Sequence, residues 1–205
     1  MTRTELPAAI PGSRLIAVFR GLHPDRVVAV ADVLDRAGIG VLEVTMDSPV
    51  AERSIERLAS RSVVGAGTVM NVAEAEAAVA AGAAFLVSPH TDLDVVEWAV
   101  DRGVPVLPGA FTPTEIMVAW NAGAAAVKVF PASVAGPGLL KAVGGPMAGI
   151  PLIPTGGVTA ENAAAYLEAG AIAVGLGGWL TGHADLDVVA ERAAATVESA
   201  AASSG

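Results

Sequence analysis

GAAFLVSPHTDLDVVEWAVDRGVPVLPGAFTPTEIMVAWNAG, residues 82–123, holds two turns of the pattern that decides the fold. In each turn an apolar run leads into a segment with helical spacing, and a glycine closes the unit just before the next apolar run. Gly82, Gly103 and Gly123 take that closing position here, and Gly38 and Gly170 take it elsewhere. A glycine is expected there because helix C-termini commonly pass through a left-handed residue, which glycine adopts without steric penalty. Successive markers lie 44, 21, 20 and 47 residues apart. The repeat is therefore about 22 residues long, with two units lacking the glycine.

Helix starts keep the same phase. Thr112-Pro113-Thr114-Glu115 supplies an N-cap, a first-turn proline and a capping-box glutamate, and Asn71 with Glu74 offers a similar start. The expected strands are LIAVF at 15–19, GVLEVT at 40–45, SVVGA at 62–66, AAFLVS at 83–88, VPVLP at 104–108, AAAVKVF at 124–130, IPLIP at 150–154 and AIAVGL at 171–176. Strands alternating with helices pair in parallel, and eight such units predict an α/β fold, a single (β/α)₈ TIM barrel. An open doubly wound sheet is the alternative, but no G-x-G-x-x-G follows the first strand and no acidic residue is placed to hold a ribose. The residues before 15 are read as a short N-terminal extra segment over the barrel bottom, and 1–205 as one domain.

The composition agrees: 53% of residues are hydrophobic and 16% charged, with a mean hydropathy of +0.59, which suits a sheet covered on both faces. A formal charge of −9 and the lack of a basic stretch argue against a nucleic-acid or anionic-membrane surface. Any anion must then be held by a local pocket. There are no cysteines for disulfides or thiolate ligands. The first residues lack the apolar core of a signal peptide, so a cytoplasmic location is expected. No run reaches the roughly eighteen apolar residues of a membrane span.

Polar residues at the C-terminal ends of the expected strands are the informative ones, because barrel active sites are assembled there. Arg20 ends the first strand, Glu43 interrupts Val41-Leu42-Glu43-Val44-Thr45, and Thr68 follows Gly65-Ala66-Gly67. Ser88-Pro89-His90 ends the fourth strand, Lys128 lies within the sixth, and Thr155-Gly156-Gly157 ends the seventh. Lys128 is one of two lysines and sits in an apolar strand, whereas Lys141 falls on a helix as an ordinary surface charge. Taking an ammonium out of water favours the neutral amine that can attack a carbonyl, as a Schiff-base lysine must. The plainer reading is a lysine snorkelling from a strand end to solvent. Glu43 among Leu and Val is disfavoured as an ion, so its pKa should rise toward the range useful for proton transfer. It could equally form a structural buried ion pair with Lys128.

Two glycine groups, Gly156-Gly157 and Gly175, Gly177 and Gly178, stand where many barrels present backbone N–H groups to phosphate. Glycines at strand ends also simply make turns. His23, His90 and His183 are scattered with no carboxylate at ligand spacing, so no metal site is expected. Three function classes meet these residues: a Schiff-base enzyme, a phosphosugar isomerase or epimerase using carboxylates or a metal, and a non-catalytic phosphate-binding barrel.

The ordered segments LIAVFRG, VLEVTMDSP, VGAGTVMN, LVSPHTD, LPGAFTPTE, VKVFPASVAGP, LIPTGGVT and VGLGGWL cover nearly the whole chain. As a set they resemble the 2-keto-3-deoxy-6-phosphogluconate (KDPG) aldolases and their phosphogalactonate and 4-hydroxy-2-oxoglutarate (KHG) relatives. The resemblance implies a class I aldolase that releases pyruvate and glyceraldehyde 3-phosphate from a small keto acid phosphate, without a metal or other cofactor. It makes Lys128 the imine-forming nucleophile and Glu43 the general acid/base. It places Phe130 and Pro89 in the pocket wall, Thr68 near the pyruvyl carboxylate, and Thr155, Gly156 and Gly157 near the substrate and its phosphate. It further implies a homotrimer acting in an Entner–Doudoroff type of catabolism. Two positions depart from the pattern. Asp47 stands where some gluconate-type members carry a carboxylate-binding arginine, which makes Arg20 the replacement candidate. Gly178 stands where relatives often have a phosphate-contacting serine, leaving backbone N–H groups of Gly177 and Gly178 for that role.

Overall fold

The five marker glycines have φ of 92° (Gly38), 101° (Gly82), 69° (Gly103), 109° (Gly123) and 102° (Gly170), the left-handed region in every case. The residue after each donates its N–H back into the last helical turn, as in Ile39 to the Leu34 carbonyl and Val104 to the Ala99 carbonyl, both 2.9 Å. This closes the helix and turns the chain into the next strand. Of the two units without a marker, one turns through Ser60, Arg61 and Ser62 without any glycine. The other has its left-handed glycine late, at Gly149 with φ 89°.

The computed structural model describes residues 3–203. Its strands are β1 (Leu15–Phe19), β2 (Val41–Thr45), β3 (Val63–Gly67), β4 (Phe85–Val87), β5 (Val106–Leu107), β6 (Gly109–Ala110), β7 (Val127–Val129), β8 (Leu152–Pro154) and β9 (Val174–Leu176). The helices between them are α2 (Pro24–Arg36), α3 (Ala51–Ala59), α4 (Val72–Ala80), α5 (Leu93–Asp101), α6 (Pro113–Asn121), α7 (Ala132–Gly144) and α8 (Ala160–Glu168), preceded by α1 (Ala9–Ser13) and followed by α9 (Gly178–Thr181) and α10 (Leu186–Ala202). Thr112 and Glu115 form the expected capping box of α6, and Asn71 caps α4 by accepting the Glu74 N–H.

All strand pairs are parallel, in the orders β5-β4-β3-β2-β1-β9 and β6-β7-β8. The expected fifth strand is thus two short pieces, shifted toward Ala110. Pro108 lies between them and has no N–H for the ladder, so the chain pairs with β4 before it and with β7 after it. On the other side, Thr155 bridges Gly175 and the Ile172 N–H donates to the Leu152 carbonyl at 3.0 Å. Those links join β8 to β9 and complete the barrel.

Side chains alternate along every strand. Leu15, Ala17, Leu42, Val44, Val64, Leu86, Val106, Val127, Val129, Leu152, Val174 and Leu176 pack under the helices in one buried cluster. Ile16, Val41, Phe85, Val87, Leu107, Ala126, Ile153 and Ala173 fill the barrel interior with Ile10 of α1. The N-terminal segment therefore seals the bottom with a fully buried isoleucine, whose transfer from water contributes about 1.5–3 kcal/mol. Among the described residues no helix is long and apolar enough to cross a membrane.

Candidate active site

Continuing each strand by two residues beyond the apolar interior layer brings the next inward position to the C-terminal mouth. Val41 leads to Glu43, Ala126 to Lys128 and Ile153 to Thr155, so the period of two that buries the core also aims these polar groups inward. With β5 and β6 counted as one barrel position, three strands separate β2 from β7 on either side of the closed ring, which sets Glu43 and Lys128 on opposite walls. Both border a cavity of about 240 Å³ with Val18, Arg20, Phe130, Thr155, Gly156, Gly157, Val158, Gly177, Gly178 and Trp179.

Lys128 is 5% exposed and Glu43 3%. Among the described residues no salt bridge joins them. Lys128 therefore does not snorkel to solvent, and the two buried groups face a shared space without a closed ion pair. Burial pushes the Glu43 carboxyl above its ordinary value of 4.5, and the Lys128 and Arg20 cations oppose that rise. The Lys128 Nζ lies 5.2 Å from the centre of the Phe130 ring. Glycines on the neighbouring strands make the room: a Cβ on Gly67 would meet Glu43 Oε1 at 2.0 Å, and one on Gly175 would meet Thr155 Oγ1 at 2.3 Å.

The two glycine pairs line the same cavity. Gly156 and Gly157 are left-handed, with φ of 94° and 79°. Gly156 packs against the Phe130 ring, and its carbonyl accepts the Ser133 N–H at 2.8 Å. Gly177 and Gly178 lead into α9, and a Cβ on either would meet only open space. Arg20, at the end of β1, donates to Asp47 Oδ2 at 2.5 Å and to Thr68 Oγ1 at 3.2 Å.

Nine of the eleven expected site residues thus line one cavity. Thr68 is placed at its rim through Arg20, and Pro89 lies across Phe130 in a neighbouring cleft with His90, Gly109 and Phe111. Val18, Val158 and Trp179 were missed. Val18 could have been found by the period of two in the first strand. Trp179 follows Gly178 directly but is set by tertiary contacts: the Arg192 guanidinium stacks on its ring, 5.1 Å from the centre, and donates to its carbonyl. Among the described residues no three His, Cys, Asp or Glu side chains converge as metal ligands.

A family model described as "Aldolase: KDPG and KHG aldolase" matches residues 8–196. The chain is 35% identical over 190 residues to the 2-dehydro-3-deoxy-6-phosphogalactonate aldolase of Escherichia coli strain K12, covering 90% of this chain and 93% of that one. It is 37% identical over 179 residues to the 2-dehydro-3-deoxy-phosphogluconate aldolase of Pseudomonas aeruginosa, covering 85% and 81%. A solved structure of the KDPG aldolase of Legionella pneumophila, with pyruvate captured as a covalent carbinolamine, superposes with a TM-score of 0.79 at 30% identity over 97% of each chain.

Proposed function

The chain belongs to the KDPG and KHG aldolase family and is a carbon–carbon lyase; from that premise we propose that it is a class I aldolase cleaving 2-keto-3-deoxy-6-phosphogluconate to pyruvate and glyceraldehyde 3-phosphate. The observation that carries this reading is the pair of buried groups, Lys128 and Glu43, on opposite walls of one small cavity. Lys128 adds to the C2 ketone, and loss of water from the carbinolamine yields an iminium. Glu43, directly or through a water, takes the C4 hydroxyl proton as the C3–C4 bond breaks. The electron pair of that bond passes into the iminium, giving an enamine and free glyceraldehyde 3-phosphate. Glu43 returns the proton to C3, and hydrolysis consumes the water released earlier and frees pyruvate. A carboxyl whose pKa lies above the ordinary range holds and gives back a proton more readily near neutral pH.

In this reading Arg20 and Thr68 hold the substrate carboxylate, Phe130 and Thr155 flank the reacting carbons, and Pro89 shapes the wall behind Phe130. Backbone N–H groups of Gly156, Gly157, Gly177 and Gly178 hold the phosphate. The imine serves as electron sink, so no metal or other cofactor takes part. The whole chain acts as one barrel domain, assembles as a homotrimer and works in the cytoplasm in an Entner–Doudoroff type of catabolism. A second reading is cleavage of the galactonate epimer, supported by the 35% identity to a galactonate-type relative, or of 4-hydroxy-2-oxoglutarate, supported by the KHG aldolases that the family includes. The P-T-G-G around Thr155 resembles gluconate-type enzymes, whereas Asp47-Ser48-Pro49 and Ser133-Val134-Ala135-Gly136-Pro137 resemble galactonate-type relatives. Borohydride reduction with pyruvate tests the chemistry: a covalent adduct is expected on Lys128 and not on Lys141. Folded protein that gains no mass refutes the imine. Cleavage rates for the two epimers, measured side by side, decide the substrate.

A further inference from the structure

Among the described residues that border the cavity, Arg20 is the one cation besides Lys128, yet its side chain is 58% exposed. A long side chain so open to solvent would ordinarily sample many rotamers and lose about 2 kcal/mol of that freedom on binding an anion. Here two acceptors from different strand ends grip it. Asp47, two residues past β2, takes a hydrogen bond from Nη1 at 2.5 Å, and Thr68, just past β3, takes one from Nη2 at 3.2 Å. Thr68 adopts a left-handed φ of 55°, a conformation that costs a β-branched residue free energy. Its hydroxyl is held at the mouth by that backbone.

We infer that Asp47 is a positioning residue for substrate binding: by gripping Nη1 it holds the Arg20 guanidinium over the cavity mouth, with N–H donors left to receive the carboxylate of a keto acid. The inference rests on the aldolase reading above. A carboxylate at this position has two opposed effects. Its negative charge repels an incoming anion, and its acceptor oxygen orders the cation that receives the anion. Asp47 is itself 41% exposed, so water screens the repulsion strongly. Ordering depends on the hydrogen bond and not on the net charge of the acceptor. An amide oxygen in place of the carboxylate therefore preserves most of the effect, and a methyl group abolishes it.

The test follows the pyruvate concentration that half-saturates borohydride trapping at Lys128, read by intact mass. Asp47→Ala is expected to raise that concentration roughly threefold, the low end for one lost hydrogen bond, with the trapping yield at saturating pyruvate unchanged. Asp47→Asn is expected to stay near the wild-type value. In an Arg20→Ala background the Asp47→Ala change is expected to add nothing, because its effect passes through the guanidinium. Three results overturn the inference: Asp47→Ala binding pyruvate as well as or better than wild type, Asp47→Asn matching Asp47→Ala, or an undiminished Asp47→Ala effect without Arg20. Absence of any adduct in the wild-type protein is a different failure, which removes the aldolase reading together with this one.

Discussion

Replacing Gly67 with alanine separates the placement of Glu43 from the stability of the barrel. The new Cβ would lie 2.0 Å from Glu43 Oε1 and 2.7 Å from its Cδ and Cγ. Since real Cβ contacts stay above 3.0 Å, the carboxylate must retreat by at least about 1 Å. It can do so because it is the end of a flexible side chain beside an open cavity, so the cost in stability is about 1 kcal/mol or less, at the low end for overpacking. The alanine also reduces the freedom of the unfolded chain, which offsets part of that cost. Catalysis has no such relief, because a displacement of about 1 Å in a proton-transfer group lowers turnover on the order of a hundredfold. Cleavage is followed by coupling released pyruvate to NADH oxidation, and stability by thermal unfolding. Gly65→Ala supplies the contrast. Its Cβ would lie 2.3 Å from Phe85, a fully buried ring inside the barrel with no space to enter. That variant should lose about 2–3 kcal/mol, lowering Tm by roughly 4–12 °C, while its folded fraction keeps its turnover. A Gly67→Ala enzyme with a kcat within about threefold of wild type would refute the reasoning, since a carboxylate moved this far should not transfer protons well.

Glu43→Gln should raise Tm at neutral pH while abolishing turnover. The folded-state pKa of Glu43 lies above 4.5, so its stabilising contribution is full below 4.5 and is lost as pH rises through the raised value. The gap between variant and wild type should therefore shrink on acidification toward 4.5, and a pH-independent gap counts against a raised pKa. Thr112→Ala breaks the capping box by removing the Oγ1 that accepts the Glu115 N–H at 3.3 Å. Chemical denaturation should report a loss of about 1 kcal/mol without a change in kcat. Tyr166→Phe removes the hydroxyl that donates to the Ala132 carbonyl at 2.8 Å in the buried seam between α7 and α8. A loss of about 1–1.5 kcal/mol is expected in the same assay, and no change in stability would mean that the carbonyl finds another donor.

The sequence by itself determined what depends on neighbours along the chain. Gly38, Gly82, Gly103, Gly123 and Gly170 announced the unit because a left-handed helix end is a local requirement. Glu43 and Lys128 stood out because each interrupts an apolar strand run, where an ion is costly. What lay beyond local reading was every relation between distant segments. Glu43 and Lys128 are 85 positions apart, and only closure of the ring puts them on opposite walls of one cavity. Pro108 looked like the end of a strand, but its missing N–H splits that strand between two neighbours, which depends on what pairs on each side. Asp47 read as the loss of a cation, and the tertiary structure made it the partner of Arg20. Backbone propensity and side-chain alternation act over a few residues, whereas barrel closure and the meeting of loop side chains are settled by packing across the whole chain.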